Sequence, residues 1–103
     1  MGATITRIWH GKTRLEYADE YVEYLKKTGV PDYKSVPGNL SVHVWRRKEG
    51  QTCHFWTVTT WESVESIKKF AGDEYEKARY YTDDKKYLFE FEPSVAHYET
   101  FDF

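Results

Sequence analysis

The 103-residue chain carries 31% charged residues at a net charge of −2, which leaves no basic excess for a polyanion and argues against nucleic-acid binding. Its length predicts a single domain over residues 1–103, and no apolar run approaches the ~20 residues of a membrane span. The lone Cys53 cannot form an internal disulfide, and "MGATITRIWHG" lacks a hydrophobic leader, so a cytoplasmic location is expected. Aromatic residues reach 18%, with four Trp and nine Tyr, more than a core this small requires. The surplus predicts an oligomer interface, a ligand cavity, or both.

"TITRIWH" (4–10) alternates as a strand, with Ile8 and His10 on one face and Ile5, Arg7 and Trp9 on the other. In "GKTRLE", Thr13 and Glu16 have capping-box spacing. A helix carrying Leu15, Ala18, Val22 and Leu25 should follow, stopped by Gly29. "VPDYKSVPGN" reads as irregular, since Pro31 and Pro37 remove backbone donors. "LSVHVWRR" and "TCHFWTVTTW" then form a hairpin turning at Gly50. Ser63 caps a helix with Val64, Ile67 and Phe70, closed by Gly72. Asp73 and Glu76 predict a second capping box, opening a short helix through Tyr75, Ala78 and Arg79. "TDDKKY" reads as a solvated loop, and "SVAHYETF" after Pro93 as a last strand.

The order β-α-β-β-α-β predicts an α+β fold of the ferredoxin-like, split-βαβ kind: a four-stranded antiparallel sheet with both helices on one face. The other face would carry Trp9, His43, Trp45, His54 and Trp56, too aromatic to face water, so a back-to-back homodimer is expected.

The stretches "TRIWHGKT", "TVTTWES", "SIKKFAGDEYEKARYY" and "VAHYE" resemble the antibiotic-biosynthesis-monooxygenase group of the dimeric α/β-barrel superfamily over nearly the whole chain. The resemblance implies a ligand pocket between sheet and helices in each protomer. Trp61 would be its stacking wall and Arg79 its anion stabiliser, with Thr57, Phe70 and Tyr80 completing the lining. It implies a cofactor-independent monooxygenase acting on a small phenol. The alternatives are a non-enzymatic dimer that binds a small aromatic or fatty ligand, and an isomerase or cyclase on the same scaffold. The haem-degrading branch uses an Asn-Trp-His set; here His10, Phe70 and Arg79 stand in those places, which argues against haem turnover.

His10 is the candidate base. It ends the first strand beside a glycine, is expected on the face toward the helices, and histidine needs little tuning to accept a proton near neutral pH. A histidine bonded to a backbone carbonyl is the structural alternative. No metal site is expected, because His43 and His54 lack Cys or carboxylate neighbours at ligand spacing. No cofactor is expected either: the sequence has no dinucleotide fingerprint or phosphate-cradling Gly loop.

Overall fold

The computed structural model describes residues 3–103. Met1 and Gly2, which begin both the expected domain and the stretch read for a leader, lie outside the described residues. The elements run β1 (Thr4–Arg14), α1 (Ala18–Lys27), α2 (Gly29–Ser35), β2 (Asn39–Glu49), β3 (Thr52–Trp61), α3 (Val64–Ala71) and β4 (Ala96–Thr100). The strands form one sheet in the order β2-β3-β1-β4, with every neighbouring pair antiparallel. This is the ferredoxin-like α+β architecture, with α1 and α2 together in the place of its first helix. Among the described residues no helix is long and apolar enough to cross a membrane.

The hairpin forms where expected. Gly50 takes a φ of +60°, which a side chain would disfavour, and Glu49 pairs with Thr52 across the turn. Ser63 caps α3 as its spacing predicts: its Oγ accepts from the Ser66 N–H at 3.2 Å. Gly72, at φ +83°, ends the helix by donating its N–H to the Lys68 carbonyl at 2.8 Å.

Four expectations need correction. Thr13 does not cap a helix, because β1 runs on to Arg14 and pairs Thr13 with Cys53. The helix begins only at Ala18, where Ala18, Tyr21 and Leu25 bury one face. Gly29 does not stop the helical run either. The chain bends at Thr28 and restarts as α2, with Pro31 in the first turn, where a missing N–H costs no helical bond.

The Asp73–Arg79 stretch is not helical. Glu76 accepts from the Val95 N–H and Ala78 donates to the Pro93 carbonyl, each at 2.9 Å, so this segment lies against residues 93–95. Tertiary pairing has overridden a weak local propensity. Finally, "TDDKKY" holds a 3-10 turn over Thr82–Lys86 that buries Asp84.

Two apolar clusters fill the space between sheet and helices. One gathers Trp9, Ala18, Tyr21, Leu25, Cys53, Phe55 and Leu88; the other gathers Tyr33, Trp61, Ile67 and Phe70. The odd-numbered residues of β1 and β3 point into these clusters, and the even-numbered ones face away from the helices.

Candidate functional site

Where the two clusters meet, a cleft opens toward the segment after α3. Its floor is Trp9 of β1 and Thr57 of β3, and its helical wall is Tyr21 and Leu25 of α1 with Gly29 and Tyr33 of α2. Arg79, Tyr81 and Asp84 form the outer wall. The volume of the cleft is about 20 Å³, room for roughly one water.

Polar groups converge on this small space. The Tyr33 and Thr57 hydroxyls lie 3.1 Å apart. Arg79 donates to the Phe70 carbonyl at 2.8 Å and lies 3.6 Å from Asp32, and its guanidinium stands 4.8 Å over the Phe70 ring. The Tyr81 hydroxyl donates to Asp32 at 2.5 Å, and burial together with that carboxylate pushes the phenol well above its ordinary range. At the far end, Asp84 accepts from the Tyr21 hydroxyl at 2.8 Å and from the Tyr81 N–H at 2.6 Å. Burial raises its carboxyl above the usual range, and the two donors partly offset this.

The expected site residues scatter around this cleft. Arg79 and Thr57 line it, and Phe70 lies behind Arg79. Trp61 is not a cavity wall: it is fully buried, packs against Tyr33 and Phe70, and donates its indole N–H to Thr59 at 2.8 Å. Tyr80 turns the other way, donating to the Glu92 carbonyl at 2.5 Å, and the neighbouring Tyr81 takes the inward position. Tyr21, Tyr33 and Asp84 were missed. Tyr21 sits on a helix whose pattern was read from aliphatic residues alone, Tyr33 in a stretch whose two prolines make it read as irregular, and Asp84 in one whose polarity disguised its burial.

His10 and Trp9 exchange places relative to expectation. Trp9 is buried under the helices, and His10 faces the open side of the sheet. The strand alternates as read, but the covered side is the one bearing Arg7 and Trp9. On the open face His10 bonds Glu92 through Nδ1 at 2.5 Å and His54 through Nε2 at 2.9 Å, and His54 bonds Glu49 at 3.2 Å. Trp56 stacks on the His54 ring and lies tilted against that of His10. An ionised carboxylate can only accept, so the outer nitrogens of this chain donate to Glu92 and Glu49. Among the described residues no cluster of three His, Cys, Asp or Glu side chains is placed to hold a metal ion.

No protein-family model and no curated protein matches the chain. Solved structures do. A protein from Bacillus cereus named as a candidate antibiotic biosynthesis monooxygenase superposes with a TM-score of 0.65 at 15% identity, over 96% of this chain and 94% of that one. A candidate monooxygenase from Shewanella loihica gives 0.62 at 17% identity, over 100% and 99%. A protein from Pseudomonas aeruginosa gives 0.67 at 14%, over 99% and 98%. At these identities the likeness establishes the fold, one that antibiotic-biosynthesis-monooxygenase-like proteins share.

Proposed function

We propose that this protein takes a small, electron-rich phenol into the cleft between sheet and helices and oxygenates it without a cofactor. The observation that carries the reading is Arg79. Its cation lines the cleft beside the hydroxyls of Tyr33 and Thr57, where it would stabilise a phenolate. A phenolate can itself pass an electron to O₂, so the chain's tasks are to bind it, keep it ionised and exclude water from the radical pair. His10 is not the base in this reading, because the sheet separates it from the cleft.

The test is oxygen uptake with a panel of electron-rich phenols. Arg79→Ala should lower the rate by about 10²-fold, the scale of losing one oxyanion donor. The fold should survive, since the Arg79 side chain is 46% exposed. A second reading, a dimer that binds such ligands without chemistry, is favoured by the small size of the cleft. Phenols that raise the melting temperature while wild type consumes no oxygen would decide for it. If phenols neither stabilise nor react, the cleft is plain core.

The same reading includes a homodimer formed through the open sheet face. Trp45 and Tyr98 are 54% and 55% exposed there, and Trp45 pairs with Trp56 across β2 and β3.

A further inference from the structure

Arg7 is the polar side chain that the proposed function leaves unexplained. It points from β1 into the covered side, is 1% exposed, and takes part in none of the ion pairs among the described residues. Its Nη2 donates to the Lys77 carbonyl at 3.2 Å, and its Nε has no partner among the described residues. A buried cation without a carboxylate is costly, and the neighbouring Tyr33 and the Phe70 ring relieve only part of that cost. Arg7 and Arg79 both lie against the Phe70 ring, at 5.3 and 4.8 Å from its centroid, so two like charges are gathered at one place. The remaining ionisable neighbours are His97, Tyr33 and Tyr81. Burial and Arg7 both favour a neutral His97, and the two tyrosines are held neutral by burial. Of the nearby carboxylates, Glu76 acts on His97, and Asp32, 3.6 Å from Arg79, already accepts from Tyr81.

We infer that Arg7 and Arg79 together make the cleft an anion site, so that the ligand binds as a phenolate rather than as a neutral phenol. The inference rests on the reading of the cleft given above and narrows it to acidic phenols and enols. It also removes the need for a base in the cleft. Asp84, the only carboxylate among the described residues that line it, is committed to two donors, whereas a substrate that enters ionised leaves its proton in water. Arg79 would touch the ligand. Arg7 would act from behind Tyr33 as a positioning residue, through its field and through the orientation of that hydroxyl.

p-Nitrophenol, which ionises near neutral pH and changes colour when it does, is a direct probe. Burial raises the pKa of a phenol in this cleft, as it does for Tyr33, while each guanidinium should favour the bound phenolate by about tenfold, so the pair should hold the bound probe's pKa about two units below its value without them. Arg7→Met should return about one of those units, yet melt at or above wild type, because an uncompensated buried charge has been removed. Should Arg7→Met fail to fold, Arg7→Lys and Arg7→Gln make the same comparison: the lysine keeps the shift and the glutamine loses half of it. A bound probe whose pKa is the same in wild type and in the uncharged variant overturns the inference but leaves the cleft as a phenol site. If p-nitrophenol binds in neither form and no phenol drives oxygen uptake, both the inference and the reading beneath it fall.

Discussion

His97 pairs with Arg7 across β1 and β4, packs edge-on against Tyr75, and leaves its buried Nε2 without a partner. Burial first, then the Arg7 charge, lowers its pKa below the ordinary 6.5. The unfolded chain therefore takes up a proton near pH 6.5 while the native state resists it. The sign follows: this contribution to stability is complete above 6.5 and is lost as the pH falls through the lower native value. Melting curves at pH 7.5 and 5.5 should show His97→Gln losing less stability on acidification than wild type; an equal loss would mean that the native fold does not lower the pKa of this ring. On the opposite face, His10→Ala strands Glu92 and His54 and should destabilise by about 1–3 kcal/mol, with oxygen uptake per folded molecule unchanged. The contrast between these histidines shows where reading by residue stops. The alternation in "TRIWHG" separates 7 and 9 from 8 and 10 unambiguously. Both sets carry an aromatic or ionisable side chain, however, so local pattern cannot say which set the helices will cover.

Among the elements, β2 and β3 were legible because the Gly50 turn joins them as a hairpin that pairs residue for residue from Ser41 to Glu49. α3 was legible because Ser63 and Gly72 mark both its ends, and Ser63→Ala should cost it about 1 kcal/mol in chemical denaturation. The stretch from Asp73 to Arg79 has equally good local signals, but its conformation is set by Pro93 and Val95, which no short window contains. A different constraint acts in the middle of β1. The Trp9 indole folds over Gly11, and a methyl group added there would overlap the ring, with Leu88 closing the other side. Gly11→Ala should therefore lose about 1–3 kcal/mol by overpacking, read as a lower denaturant midpoint at unchanged slope. A midpoint equal to wild type would show that Trp9 can shift freely, and Trp9 is part of the cleft floor.

For the molecule as a whole, the sheet has one face under helices and one bare. Burying an aromatic side chain contributes roughly 2–3 kcal/mol, so Trp45 and Trp56 with their copies in a second protomer would dominate a dimer. Sedimentation should give a dimer at micromolar concentration and, for Trp45→Glu with Trp56→Glu, a folded monomer; a monomeric wild type would refute the face-to-face assembly. The long β2 edge ends in Arg46, Arg47 and Lys48, which discourages pairing through the edge instead. The cleft has a kinetic consequence as well. At about 20 Å³ it has no room for an aromatic ring as it stands, and its outer wall comes from the chain between α3 and β4, tied down by two-residue contacts and one 3-10 turn rather than by long elements. Opening must then precede entry. In stopped-flow mixing, the observed rate of ligand uptake should level off with concentration at the rate of opening, and that plateau should be the same for every ligand that fits.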